Sequence, residues 1–204
     1  MLSYEGQLIL STRGLLVRCI FGGVRLINDQ VKFRTDSLRH FRYNQAMFRQ
    51  MRRFKQQIAD TECKEILKNE KRGVLSLLGD DGYPYGLPLS HFYSEEDNKI
   101  YFHGAKEGHK IDAIKNYDKA SFCVYDSGYR KEGEWALNIN SVIVFGKIRL
   151  VTDPELAREI CTKLVQKFTD DQAYLEKELK NALPRVQCLE LEIEHMTGKL
   201  VNES

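Results

Sequence analysis

The sequence predicts a mostly β protein in which helices are inserted between the strands of an antiparallel sheet. Short segments rich in β-branched and aromatic residues recur after residue 70 and are joined by turn-rich links. Helical segments separate some of these strands, but strand and helix do not alternate regularly, which argues against a parallel βαβ sheet. Five or six strands of this length could close into a barrel with flanking helices.

The first helix is predicted at residues 60–71, DTECKEILKNEK. Asp60 or Thr61 suits the N-cap, and Glu62 places a negative charge in the first turn, where the helix dipole favours it. The spacing of the apolar residues gives the helix one buried face. That face carries Cys63, Ile66 and Leu67.

A hairpin and a third strand follow this helix. Residues 73–79 and 85–93 flank the link 80–84, DDGYP, whose composition is typical of a turn. The next strand, at 98–104, follows the polar turn 95–97. These segments predict three neighbouring strands in sequence order.

The middle of the chain continues with a helix at 109–117, a strand at 119–127 and a long strand at 141–151. Alternation along the long strand predicts that one of its faces is buried. That face would hold Val142, Val144, Ile148 and Leu150.

Two helices and a last strand complete the pattern. The helix at 153–168 begins with Pro154 in its first turn, and the second helix, at 171–183, ends before Pro184. Apolar residues recur every fourth position in the first helix, at Leu156, Ile160, Leu164 and Phe168. In the strand at 185–195, Leu189, Leu191 and Ile193 should point inward and Glu190, Glu192 and Glu194 outward.

Residues 1–50 do not share this regular patterning. They hold eight Lys or Arg residues and only three acids, and the stretch 15–27 is apolar but interrupted by Arg18 and Arg25. The segment could be a small added strand or helix, a targeting peptide, or translated upstream sequence that precedes a start at Met51. We favour the third interpretation, so residues 51–204 are expected to form the working domain.

Composition excludes several classes of protein. Once residues 1–50 are set aside, the chain is mildly acidic, which gives no electrostatic footprint for nucleic acid. No apolar run is long enough to cross a membrane. The cysteines are odd in number and never spaced as CxxC, which indicates reduced thiols in a cytoplasmic protein without a zinc site or disulfide framework. They are Cys19, Cys63, Cys123, Cys161 and Cys188.

The stretch 101–112, YFHGAKEGHKID, places potential cations where a strand gives way to a helix. The helix dipole disfavours positive charge at this end unless an anion is bound there. A phosphate could accept charge-assisted hydrogen bonds from Lys106, His109 and Lys110. The alternative is an ordinary surface turn in which Glu107 pairs with a lysine, and spacing alone does not decide between the two.

Other candidate residues carry weaker signals. His103 ends the strand and could be a partly buried histidine bonded to backbone. His91 and His109 do not give it metal-ligand spacing, so no metal is expected. Ser90 lacks the G-x-S-x-G elbow of a hydrolase nucleophile.

Four motifs in order resemble the flavin-binding split-barrel proteins of the pyridoxamine 5′-phosphate oxidase superfamily. They are GDDGYPYGLPLSHFY, IYFHGAKEGHKID, NSVIVFGKIRLVTDPE and LELEIEHMTGK. The similarity runs from about residue 53 to 200, and the branch it most resembles contains the 5-nitroimidazole resistance proteins. It implies an antiparallel split β-barrel with flanking helices.

The resemblance also implies a homodimer that holds FMN in a groove between its subunits. The flavin ring would follow the backbone of one strand, and the phosphate would enter the basic turn. His103, typical of the nitroimidazole-resistance branch, would border the flavin and be the catalytic residue, which orients a substrate or donates a proton. Ser141 would approach the flavin from the other subunit or from the barrel wall. The implied cofactor-binding residues are Leu87, Pro88, Leu89, Ser90, Phe102, His103, Lys106, His109, Lys110 and Ser141.

Two departures from the oxidase pattern limit the functional expectation. The phosphate turn is spelled KEGHK and lacks arginine, and the C-terminal residues that bind the oxidase's phosphorylated substrate are absent from TGKLVNES. We therefore expect an FMN-dependent oxidoreductase, such as a nitroreductase, that uses a small-molecule substrate and a reduced electron donor. The alternatives are a non-catalytic flavin- or haem-binding protein and an interaction module without a cofactor.

Overall fold

The computed structural model describes residues 9–12, 15–20, 23–27 and 48–202, which belong to two compact units. Three strands in the first unit, β1 (Ile9–Thr12), β2 (Leu15–Ile20) and β3 (Gly23–Ile27), form an antiparallel sheet in the order β1-β2-β3. The stretch 15–27 thus contributes a pair of strands. The other residues of the 1–50 segment, except 48–50, lie outside the described residues, and the three interpretations of this segment stay open.

The second unit confirms the predicted class, because it is an antiparallel sheet of seven strands with helices around it. The helices are α1 (Asp60–Asn69), α2 (His109–Asn116), α3 (Pro154–Gln166) and α4 (Gln172–Ala182). The strands are β4 (Arg72–Leu78), β5 (Pro84–Ser90), β6 (Phe92–Ser94), β7 (Lys99–Ala105), β8 (Lys119–Tyr125), β9 (Asn138–Leu150) and β10 (Val186–Asn202).

The strand order β5-β4-β8-β9-β10-β7-β6 curls the sheet into a split barrel. In a flat sheet, β5 and β7 would lie five strand spacings apart, or about 24 Å. Instead, Cα atoms of the two strands approach within 8 Å. This curl brings β5, which carries the first motif, beside β7, which carries the second.

Several predicted boundaries need correction. The segment 85–93 is two strands, because the backbone leaves the β4 ladder at His91, whose side chain turns into the core. β9 starts three residues earlier and β10 ends seven residues later than predicted, since the two strands continue to pair as far as Asn138 with Asn202. The N-cap of α1 is Ala59, whose amide donates to the carboxylate of Glu62.

Two apolar cores lie on opposite faces of the sheet. The barrel interior is filled from several strands and closed by α1, and its largest fully buried side chains include Phe102 and Phe122, packed edge to face. The second core lies between α3, α4 and the outer face of β7 and β10. Its buried members are Tyr101, Val151, Ile160, Cys161, Leu164, Leu175, Leu179 and Cys188.

The inward pattern of the last strand is confirmed at Leu189 and Leu191, which are fully buried. Glu190 was expected to point into solvent, but it is only 9% exposed. Its carboxylate accepts from Lys99 on β7 at 3.1 Å and pairs with Arg149 on β9 at 2.5 Å, so both neighbouring strands supply a positive charge. Among the residues that the structure describes, no helix is long and apolar enough to cross a bilayer.

Candidate functional site

The turn between β7 and α2 forms the centre of the candidate site. Gly108 adopts a φ of 108°, which favours glycine, and its carbonyl accepts the amides of Ile111 and Asp112 to start the helix. The amides at 109 and 110 have no partner inside a helix that begins there. Ile111 and Ile114 are buried in the barrel core and fix the helix in place. The N-terminus of α2 therefore presents backbone N–H groups from which an anion could accept hydrogen bonds.

Lys110 places a half-buried positive charge directly against the end of β7. Its side chain lies over Gly104, where it fills the space that a Cβ atom at that position would need. Desolvation lowers the pKa of Lys110 below its ordinary value. No carboxylate of the described residues lies within 4.0 Å of its ammonium group. Burial of this charge therefore costs free energy that no carboxylate of the described residues offsets.

Lys106 adds a second cation to the same turn. Its side chain is exposed, and within the described part of the chain it forms no ion pair, including with Glu107. The surface-turn alternative depended on such a pair with Lys106 or Lys110. Two unpaired ammonium groups beside a helix N-terminus match a phosphate in charge and hydrogen-bonding capacity.

His109 points instead toward the β4–β5 hairpin. Its ring stacks on Tyr85 of β5, with the ring centroids 4.1 Å apart and the planes at 16°. Its Nε2 lies 3.6 Å from a carboxylate oxygen of Asp80. The structure thus assigns His109 contacts that tie the start of α2 to β5, and leaves the lysines as the unpaired cations.

His103 lies one residue before Gly104, at the same strand end. Its side chain has a large exposed surface, but nearby protein atoms still remove part of its hydration. This desolvation lowers the pKa of His103, and the positive charge of Lys110 lowers that pKa further. The imidazole is therefore mainly neutral near pH 7. A neutral ring can accept a proton or donate one N–H hydrogen bond, so it is a poorer proton donor than an imidazolium.

The β5 segment presents backbone to the outside, with few side chains. Leu87 and Leu89 pack against the barrel core, whereas Pro88 is exposed and Ser90 half-buried. Phe102 is fully buried, so its side chain shapes the barrel wall from inside. A flat ligand that follows this strand would meet mainly main-chain groups.

Ser141 lies apart from the candidate residues of the β7–α2 turn within one chain. Ala105 at the end of β7 pairs with Val186, whereas Ser141 pairs with Lys199, thirteen residues farther along β10. This interval corresponds to about 40 Å of extended strand. Ser141 therefore lies far along the sheet from the β7–α2 turn, whereas its partner on the other side is Tyr125 of β8, which only β4 separates from the β5 segment.

Sequence reasoning missed Tyr85 and Gly104. Tyr85 stacks on His109, and Gly104 leaves the room that Lys110 occupies. The signal for Gly104 was its position between a strand and a basic turn, since a glycine there often marks close approach of another group. Nothing in the sequence indicated the partner of His109.

The outer face of β4, β8 and β9 carries a row of partly exposed apolar side chains. Val74 pairs with Pro88 on one side and Cys123 on the other, and Cys123 pairs with Ile143. Val74 is 38% exposed, Ile143 41% and the nearby Phe145 40%. Such a contiguous row is typical of a protein–protein contact.

Comparison with known families finds one match, to the model described as pyridoxamine 5′-phosphate oxidase, over residues 59–200. Comparison with curated proteins finds no match. A candidate 5-nitroimidazole antibiotic resistance protein from Bacteroides thetaiotaomicron has a similar structure, with a TM-score of 0.62 and 20% identity. The alignment covers 72% of this chain and 87% of that one.

Two cofactor-binding proteins share the same fold. A FAD-binding protein from Mesorhizobium loti aligns with a TM-score of 0.51 and 23% identity, over 71% of this chain and 96% of that one. A FAD- and haem-binding protein from Mycobacterium smegmatis aligns with a TM-score of 0.57 and 19% identity, over 73% and 74%. At these identities the comparisons show a common split-barrel fold.

Proposed function

Because this chain belongs to the pyridoxamine 5′-phosphate oxidase family, as its motifs predicted, we propose that it binds FMN at the β7–α2 turn and acts as an oxidoreductase. The observation that carries the proposal is Lys110, a half-buried cation without a counter-ion at a helix N-terminus. An FMN phosphate would supply the missing negative charge. FMN ends in a phosphomonoester, which matches the two unpaired lysines.

Each part of the site would have a separate role. Lys106 and Lys110 would bind the phosphate, and the backbone at 87–90 would align the ring along β5. Flavin supplies the electron-transfer chemistry, and the protein supplies position and electrostatics. His103, held neutral beside Lys110, would orient a substrate by one hydrogen bond or accept a proton from it.

A nitro compound is the substrate class that we propose first. The support is the likeness to the nitroimidazole-resistance branch in the β7 motif. A small reduced donor would return the flavin to its reduced form. A cytoplasmic location remains a prediction from the cysteines.

We further propose that the active form is a homodimer. The support is the exposed row around Val74, Ile143 and Phe145, which runs along the same sheet as the β5 segment. Burying this row in a second copy would remove apolar surface from water, at about 25 cal/mol per Å². It would also allow Ser141 of one chain to approach the β5 site of the other.

The test is a double substitution of the two unpaired cations, Lys106→Met and Lys110→Met. Each charge-assisted hydrogen bond contributes about 1.5–3 kcal/mol, so the double variant should bind FMN at least about 100-fold more weakly. Visible absorption of the purified protein and titration with FMN measure this loss. Thermal stability without flavin should not fall, because removing a desolvated, unpaired cation relieves the fold.

The matched control is Lys115→Met with Lys119→Met, which removes the same charge near the other end of α2. This variant should keep its flavin. Full flavin occupancy in the Lys106/Lys110 variant would refute the phosphate assignment. A Soret band in the native protein would favour haem, release of FAD would replace FMN, and a colourless protein that ignores added FMN would favour the interaction module.

A further inference from the structure

A second cleft opens at the other end of β5, away from the β7–α2 turn. It has a volume of about 560 Å³ and lies between the α1–β4 link and the end of β8. None of its residues was a candidate in the sequence. It is lined by residues 69–74 together with Tyr125, Asp126 and Ser127.

The cleft holds two cations without an internal counter-ion. Lys71 Nζ lies 5.2 Å and Arg72 Cζ 5.7 Å from the ring centroid of Phe168, so both are gathered around one aromatic side chain. No carboxylate of the described residues comes within 4.0 Å of either cation. The ring face attracts both charges, but it does not neutralise them, so an anion in the cleft would supply a counter-ion that the described residues do not.

The acidic residues of the cleft do not take that role. Asp126 is committed to the β8–β9 connection, since one oxygen accepts the amides of Gly128 and Asn140 and the other accepts the Asn140 side chain. Glu70 lines the cleft but reaches neither cation, and its backbone carbonyl accepts from Lys167 at 2.6 Å. No carboxylate of the described residues therefore neutralises Lys71 or Arg72, whose charged groups lie against Phe168 and would turn from that ring to meet a ligand.

Tyr125 gives the cleft a flat apolar wall. Its side chain lines the cleft and is 63% exposed, so its ring is accessible to a ligand. A planar ligand could stack on this ring while its anionic group meets Arg72, whose fork of donors binds a carboxylate or phosphate by two hydrogen bonds.

The position of the cleft links it to the proposed flavin site. Arg72 is the backbone partner of Ser90, the last residue of the β5 segment along which the ring would lie. At the opposite end of β5, Tyr85 stacks on His109, next to the proposed phosphate site. A ring that extends along 87–90 would thus point toward the cleft.

We propose that this cleft binds the substrate of the proposed flavoprotein, and that the substrate is a small planar molecule with an anionic group. The identification of the ligand as a substrate rests on the proposed function. The cleft and its cations are present whether or not the protein binds flavin. Arg72 binds the anionic group, Lys71 adds charge, and Tyr125 stacks on the planar part.

The experiment is calorimetric titration of the whole protein with benzoate, and with benzamide as the neutral analogue of the same shape. Benzoate should bind more tightly than benzamide. Arg72→Met keeps the alkyl stem but removes the charge, and it should weaken benzoate binding at least about ten-fold, the size of one charge-assisted hydrogen bond. Lys119→Met, at the far end of β8, should bind benzoate as the native protein does.

The flavin spectrum separates this proposal from the proposed function. Arg72→Met should keep its flavin, and benzoate should shift the flavin absorption of the native protein. Benzoate binding that depends on Arg72 in a protein that holds no flavin would leave the anion cleft standing and refute the flavoprotein. Absence of benzoate binding, equal binding of benzamide, or unchanged binding in Arg72→Met would overturn the cleft proposal even in a protein that is full of flavin.

Discussion

The two ends of the sheet differ in how their outer faces are treated. On β7 and β10, the outer face is covered by α3 and α4, and Ile160 and Leu164 are almost fully buried there. On β4, β8 and β9, the outer face carries apolar side chains of the same kind, but Ile143 is 41% exposed. We call these the covered face and the bare face.

The covered face is buried by helices of the same chain, whereas the bare face can be buried only by another part of the protein or by another molecule. Both faces belong to one sheet and both are apolar, so composition alone does not explain the contrast. Within the described part of the chain, helices cover one face and none covers the other. Because exposed apolar rows are unfavourable in water, the bare face is where we propose that a second copy binds.

The largest expected difference between the two faces is the loss of unfolding free energy caused by the same substitution, isoleucine to alanine. Ile160→Ala removes buried methyl groups from the covered face and should lower the free energy of unfolding by about 3 kcal/mol. Ile143→Ala on the bare face should cost no more than about 1 kcal/mol in the dissociated protein. Urea denaturation at low protein concentration measures both. Equal losses would show that the bare face is already buried within the chain.

Acid should lower the free energy of unfolding through His91, which is buried where α1 and the end of α3 meet the barrel. Burial, with a smaller contribution from the charge of Lys167, lowers the pKa of His91 from 6.5 to about 3. Between these values the unfolded chain holds the extra proton, so stability present above pH 6.5 is lost as the pH falls. The loss should be about 2 kcal/mol between pH 7 and pH 5.

His91→Phe provides the control for the acid effect. The native imidazole is fully buried, bonds to the carbonyl oxygen of Leu67 at 2.8 Å, and meets Phe122 edge to face. A phenyl ring of similar size cannot titrate, so its unfolding free energy should depend less on pH across this window. An unchanged slope in this variant would assign the acid sensitivity to other groups.

A charge on the bare face should affect assembly much more than folding. Ile143→Glu would bury a carboxylate in the proposed dimer contact, so the subunits should separate while each remains folded. Light scattering after size exclusion gives the mass, and circular dichroism reports the fold. Tyr174→Glu, at an exposed position on α4, should leave the assembly unchanged. A native protein that is already monomeric would refute the proposed homodimer.

Sequence patterning predicted most of the strands and helices, because hydrophobic periodicity is a local property. It placed Leu189 and Leu191 correctly for this reason. It failed at Glu190 and Phe168, whose surroundings come from distant segments: Lys99 and Arg149 for the first, Lys71 and Arg72 for the second. Phe168 follows the helical repeat but lies beyond the end of α3 and is 44% exposed.

The candidate site also contains residues that the sequence could identify and residues that it could not. Lys106 and Lys110 could be identified from the sequence, because a strand-to-helix turn and the charge of its residues are both local. The stacking of His109 on Tyr85 could not, since it depends on how the sheet curls. The cleft at Arg72 was invisible for the same reason, as its two walls are about fifty residues apart in the chain.

Cysteine reactivity gives the finest test of the two faces. Cys123 lies half-buried on the bare face, and its pKa is raised by desolvation. Cys161 is on the buried side of α3, but its pKa is lowered by the hydrogen bond with Cys188, whose sulfur lies 3.6 Å away. Thiolate character alone would make Cys161 react first, whereas access would favour Cys123.

Access should decide, because the covered face must open before a reagent reaches Cys161. Alkylation with iodoacetamide, followed by mass spectrometry of peptides, should modify Cys123 before Cys161 and Cys188. Dilution that dissociates the dimer should accelerate Cys123 alone, since only that thiol would be shielded by the partner. Earlier reaction at Cys161 would mean that α3 and α4 open readily, and the covered face would then differ from the bare face much less than its burial implies.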